Sequence, residues 1–463
     1  MAMGKNLYQL KKPTLRYFVT MKISLFLLLA FISVNSYALS VSEARHFLSR
    51  TGFPPSFSEI TPYLALTKAE AVEKRLSEIR LLPEGELSTE FELPYSHAFN
   101  PKKATKKQKQ EHRKMLRKQT KKLKDWWMHE LLTTTSPMTE NLTLFWHNHF
   151  ATSSQKVHQP ALMAQQNLTI RANAAGNFRD FVKSMVKDPA LITYLDNQRN
   201  RVNKPNENLA RELLELFTLG EGHYSEQDIK EAARALSGES KDWKTGQYKF
   251  NEKAHDNTNK TIFKQTGNWD AENLVDLILQ NKQASQFITQ KLWAHYITTP
   301  ISDNTLNKLS DRFYKNYELK PLIHNILMQP DFWQPQNVGT QIKSPINLVV
   351  GLYRQFEITT TNPRQLVKST KAMGLNLFTP PNVKGWVSNE DWVTSSSLIK
   401  RQSFIQNNLR GMKIPKVIKN KIHTKQAWLD LLIAKPNQIV HKQDSNKLHS
   451  VKDALNDLRY QLQ

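Results

Sequence analysis

Apolar residues recur at intervals of three and four along most of this 463-residue chain, and that spacing confines it to helices. The clearest case is Leu209, Leu213, Leu216 and Phe217, one stripe on one face, with Asn206 placed to cap the helix and Gly220 and Gly222 to end it. Ser225 then caps a second helix, with Asp228 three residues on as a capping-box partner, and Gly238 stops it after Leu236. Nearer the start, Ser42 to Leu48 opens a helix that Thr51-Gly52-Phe53-Pro54-Pro55 halts, and Leu66 to Leu81 reads as another. Residues 83–105 hold Pro83, Gly85, Pro94, Asn100 and Pro101 and read as a loop. A basic helix follows and runs into Asp125 to Leu132; Pro137 takes the first position of the next, with Glu140 in its first turn. Alternating runs with β-branched residues survive only in scraps such as Val387 to Thr394. The expected fold is all-α: a multi-helix globular body with long irregular loops.

Cysteine is absent, which excludes disulfides, thiolate metal sites, iron–sulfur clusters and a cysteine nucleophile. Ile23 to Val34 is a short apolar run after Lys22 and before Ser36-Tyr37-Ala38, the pattern of a secretory signal cleaved after Ala38. It falls short of the roughly 20 residues of a transmembrane span. Met21 directly precedes Lys22, so residues before it read as an upstream extension of the leader. The expected location is therefore periplasmic or secreted. The formal charge of +24 is concentrated: residues 102–124 carry twelve Lys and Arg against the single Glu111, and residues 411–463 carry ten against four acids. The rest of the mature chain is nearly neutral, which points away from a specific nucleic-acid partner and toward solvated helix faces or docking on an anionic envelope glycan or lipid. The expected divisions are 1–38 leader, 39–101 N-terminal helical segment, 102–124 basic helical insertion, 125–410 main helical domain and 411–463 basic C-terminal tail.

Four stretches hold more polar chemistry than a core requires. Leu144 to Phe150 contains His147 and His149, which lie on nearly opposite sides of a regular helix and could share a ligand only where it ends. Asp196 to Asn208 contains Asp196, Asn197, Asn200, Asn206 and Asn208, oxygen and amide groups suited to calcium or sugar hydroxyls, or to ordinary turn and capping bonds. Glu212 and His223 flank the apolar stripe's end, and His255-Asp256 sit in a loop rich in Asn and Lys. Serine-hydrolase, phosphate-loop and zincin motifs are missing.

The segments LFWHNHFATS, GNFRDF, KDPALITYLDNQRNRVNKPNENLARELLELFTLGEGHYSEQDIKEAARALSG, His255-Asp256 and PPNVKGW closely resemble the bacterial family called domain of unknown function 1800, over roughly Val41 to Gln402. The resemblance implies an exported, mainly helical protein, often encoded beside an exported sulfatase-like or phosphatase-like protein that becomes a candidate partner. Glu239 stands where the family usually continues with Trp, and the basic insertion and the tail after about Arg410 look peculiar to this chain. The resemblance carries no catalytic residues. The site is therefore a physical expectation: His147, His149 and His255 hold a divalent metal, while Glu212, His223 and Asp256 supply acid–base chemistry, making a metal-dependent hydrolase of the cell envelope. Asp196, Asn197, Asn200, Asn206, Asn208 and Trp386, the last on the Pro381 to Trp386 turn, would bind ligand. The alternative is a non-catalytic scaffold or binding protein for an envelope polysaccharide or an exported partner.

Overall fold

The computed structural model describes residues 38–95, 99–100, 102–360, 362–411, 425–434 and 447–463. The expected leader lies outside these, apart from Ala38, which is exposed. Among the described residues sixteen helices of seven or more residues carry the fold. They are α1 (Val41–Arg50), α2 (Lys68–Ser77), α3 (Lys106–Thr133), α4 (Pro137–His149), α5 (Pro160–Asn173), α6 (Phe178–Val186), α7 (Glu226–Ala235) and α8 (Ala271–Leu279). The series continues with α9 (Lys282–Tyr296), α10 (Asp303–Tyr314), α11 (Leu319–Leu327), α12 (Pro345–Gln355), α13 (Pro363–Ala372), α14 (Ser395–Gly411), α15 (Lys425–Leu432) and α16 (Lys447–Asn456). The all-α class is confirmed. Two three-residue hairpins interrupt it, β1 (Glu239–Lys241) with β2 (Tyr248–Phe250) and β3 (Lys260–Ile262) with β4 (Gln265–Gly267), both antiparallel. They fall where the sequence shows no strand signal, whereas the Val387 to Thr394 scrap holds a 3₁₀ turn, Asn389–Trp392.

Local chemistry sets the helix limits. Capping boxes open α1 (Ser40 with Glu43), α2 (Thr67 with Glu70), α3 (Thr105 with Gln108) and α7 (Ser225 with Asp228), each giving two otherwise unbonded N–H groups a partner. In α6 the buried residues Phe178, Phe181, Val182, Met185 and Val186 follow the helical repeat and face the interior. There Trp146 is sealed from solvent, with Phe181 and Phe178 at 5.2 and 5.8 Å and its Nε1–H donated to the Ala174 carbonyl at 2.8 Å. One continuous hydrophobic cluster runs from Leu39 to Tyr460. The boundary drawn at residue 124 falls inside α3, a single 28-residue helix. The described part of the tail also joins the body: Trp428 and Tyr460 are buried, and the Ala434 carbonyl accepts from Arg45. No helix of the described residues is long and apolar enough to cross a membrane.

Candidate functional site

The C-terminal half of α3 is anchored by Leu123, Trp127, Met128 and Leu131, all buried, while Glu130 accepts from the Glu84 and Gly85 N–H groups at 2.9 and 2.7 Å. The N-terminal half carries no buried residue and holds one basic face out along the body. On that face Arg113, Arg117, Lys121 and Lys124 recur at helical spacing, and across from them α13 presents Arg364, Lys368 and Lys371 in the same rhythm. Between the two helices lies a cleft of about 1250 Å³. Its far wall is neutral and polar: Ser154, Gln155 and Gln159 beside a one-turn helix, and Asn376 and Thr379 on the loop after α13. Phe99, stacked on His112 with ring centroids 3.9 Å apart, closes one side.

Charge in this cleft is unbalanced. Asp125, the one carboxylate among the described lining residues, is held by Arg364 through Nε at 2.9 Å and a terminal nitrogen at 2.6 Å. Among the described residues no ion pair involves Arg113, Arg117, Lys121, Lys124, Lys368 or Lys371. Lys124 is half-buried and donates to Asn376 Oδ1 at 2.7 Å and Thr379 Oγ1 at 2.9 Å. Burial, and then the charge of Lys371, brings its ammonium down to about 8.

The residues singled out by sequence lie elsewhere. His147 is fully buried in an aromatic box, 5.0 Å from Trp127, 5.2 Å from Phe378 and 6.1 Å from Trp386, and neither ring nitrogen has a hydrogen-bond partner among the described residues. Burial lowers it to about 4, so the ring is neutral. His149 Nε2 donates to the Phe217 carbonyl at 3.0 Å, and its Nδ1 accepts from Lys291 at 3.3 Å. That carbonyl lies in the last turn of its helix, where no following helical N–H reaches it; the helix beginning at Asn208–Glu212 widens into a π-helix over Leu213–Thr218, which breaks the simple spacing read from Leu209 to Phe217. Glu212 is half-buried, and burial followed by the charge of Glu215 raises its carboxyl against Arg211 and Lys384. His223 is exposed. His255 Nδ1 donates to the Ser237 carbonyl at 2.8 Å. Asp256 accepts from Arg234 Nε at 2.7 Å and from the Thr258 N–H at 2.9 Å; despite burial, these bonds hold its carboxyl well below the usual range.

The expected convergence on a metal does not form: among the described residues no group of three or more His, Asp or Glu is placed to hold one. His149 and His255 bond the backbone carbonyls of Phe217 and Ser237 instead. The Asn-rich stretch performs turn and capping work. Asn197 donates to the Leu236 and Glu239 carbonyls, Asn200 donates to Asn197 and to the Ala233 carbonyl, and Asn206 accepts from the Asn208 N–H. Asp196, in the left-handed region, pairs with Lys156 at 2.6 Å. Trp386 is held by its own N–H, donated to Asn148 Oδ1 at 2.6 Å, so the Pro381 to Trp386 turn covers His147 as an aromatic cap.

Sequence reading missed Arg364, Lys368, Lys371, Asn376 and Thr379. The signal was present in the spacing of the three cations, which matches that of Arg117, Lys121 and Lys124, but nothing in one chain says that two such stripes face each other.

No curated protein and no solved structure matches this chain. A family model does, that of a protein of unknown function (DUF1800), over residues 46–459. The matched range encloses residues 102–124 and reaches to residue 459. The chain belongs to the DUF1800 family.

Proposed function

We propose that this protein is a non-catalytic binding protein of the cell envelope that holds an anionic ligand in the cleft between α3 and α13. The observation that carries this reading is the row of cations on two facing helices that have no ion-pair partner among the described residues, lining a concavity whose one described carboxylate is already bound to Arg364. Like charges held together without counter-ions destabilise the free protein, and a polyanion relieves that repulsion. The leader pattern supports an encounter outside the cytoplasm. Metal-dependent hydrolysis has no ligand set behind it among the described residues.

Calorimetric titration with a sulfated oligosaccharide tests the proposal. The triple variant Arg113→Ala, Arg117→Ala, Lys121→Ala should weaken binding about tenfold or more, since exposed pairs contribute up to about 1 kcal/mol each. Affinity should also fall steeply as salt rises from 50 to about 500 mM. Wild-type and triple variant binding alike would refute the cleft as the site.

A further inference from the structure

Resting on the cleft reading, we propose that its ligand is a glycan chain bearing sulfate or phosphate monoesters, and that one such group docks between Lys124 and Lys371. At this end two ammonium groups, Lys124 on α3 and Lys371 on α13, line the same cleft from facing helices, and neither has a carboxylate partner among the described residues. Around them stand Asn376, Thr379 and Ser154, the last two with hydroxyls 3.1 Å apart. The Lys124 ammonium is held in place by Asn376 and Thr379, leaving donor capacity toward the cleft.

The donor geometry selects the anion. Planar carboxylates are best read by a planar guanidinium fork; at this end the guanidinium, Arg364, is already engaged by Asp125, and those without an ion-pair partner among the described residues, Arg117 and Arg113, stand about 10 and 16 Å away along α3. What remains is a set of point donors from several directions, ammonium and hydroxyl, which suits three oxygens arranged about a tetrahedral centre. The shape of the cleft selects the carrier. Arg113 and Lys124 are eleven residues apart on α3, a row about 16 Å long at 1.5 Å per residue, longer than one free anion can occupy. A flat headgroup layer cannot follow a concavity of about 1250 Å³, whereas a single chain can. Phe99 on His112 supplies one aromatic plate; a single-stranded nucleic acid would call for a succession of them. The neutral amides and hydroxyls of the far wall suit sugar hydroxyls.

Calorimetric titrations of the full chain with five probes decide the matter: a heparin-derived hexasaccharide, an oligogalacturonate of equal length, inorganic sulfate, phosphatidylglycerol vesicles and oligothymidylate. The hexasaccharide should bind tightest, about tenfold better than the oligogalacturonate, and Lys371→Ala should remove most of that preference. Lys371 is exposed, so this variant keeps its fold; Lys124→Met is the second arm and should act in the same direction. Equal binding of the oligogalacturonate, or a preference untouched by Lys371→Ala, overturns the monoester subsite and leaves the cleft reading standing. Inorganic sulfate binding as tightly as the hexasaccharide overturns the chain, and tighter binding of vesicles or oligothymidylate overturns the glycan. Should the hexasaccharide bind the Arg113, Arg117, Lys121 triple variant as well as wild type, the cleft reading itself fails.

Discussion

Glu140 and Arg171 meet as an ion pair with both side chains almost entirely out of solvent, and Trp127 Nε1–H completes the shell around the carboxylate at 3.0 Å. An interior pair of this kind contributes little net stability over an apolar replacement of both partners, but losing one partner strands the other charge. Arg171→Leu should therefore lower unfolding free energy by about 3–5 kcal/mol in urea titrations, with Glu140→Gln, Arg171→Leu together recovering part of the loss. Lys124 shows the opposite economy, a half-buried charge with no counter-ion among the described residues. Its ammonium loses its proton at about 8 in the folded protein, against 10.5 ordinarily. Between those values the unfolded chain holds more protons, so this residue makes the free protein more stable as pH rises through that window. Binding has the reverse dependence. A sulfate ester keeps its charge throughout, so affinity for the hexasaccharide should fall as pH climbs past 8, and Lys124→Met should flatten that profile while leaving the pH 7 fold intact by circular dichroism.

At the scale of elements, the helices were legible because their signals are local: Ser225 with Asp228, Thr105 with Gln108 and the repeat of α6 are each complete within about ten residues. The hairpins were not, since each strand is only three residues long: Glu239–Lys241 has no apolar residue, and Tyr248-Lys249-Phe250 alternates too briefly to read as a strand and is exposed along its length. The candidate site was hidden for a different reason. Histidines and Asn clusters look chemical in a sequence, yet His149, His255, Asn197 and Asn200 answer backbone carbonyls that only the tertiary fold brings to them. The turn at Pro381 to Trp386 lies between these cases: its rigidity was readable, its docking partner was not. Gly385 has φ +90°, and a Cβ there would sit 2.2 Å from Asn148 Oδ1, the same atom that accepts from the Trp386 N–H. Gly385→Ala should push the turn off α4 and uncover Trp386, read as a red-shifted tryptophan emission and a loss of about 1–3 kcal/mol. Asn148→Ala should give a smaller shift in the same direction, because it removes the bond without adding the clash.

The described residues are held as one body by buried long-range polar ties as much as by the shared core. Lys343 Nζ donates to the Tyr460 carbonyl at 2.6 Å and lies 3.8 Å from the centre of the Tyr460 ring, while Arg401 bonds both Gln461 and the Lys343 carbonyl. Burial, followed by the charges of Arg45 and Arg401, drives the Lys343 ammonium well below its ordinary value, so it tolerates its place only while the last residues supply acceptors and a ring face. Tyr460 in turn is fully buried and donates its hydroxyl to Gln355 Oε1 at 2.8 Å, fastening the end of the chain to α12. If residues 447–463 were a solvated appendage, substitutions there would leave unfolding unchanged. The packing requires otherwise: Tyr460→Phe should cost about 1 kcal/mol for the lost hydrogen bond, and Tyr460→Ala about 3–5 kcal/mol for the cavity, with Lys343 left beside it. Urea titrations followed by circular dichroism and by tryptophan fluorescence should give one coincident transition for wild type and for both variants, moved to lower denaturant in that order. Separate transitions for the two probes in wild type would mean that the tail unfolds on its own, against a single cooperative body.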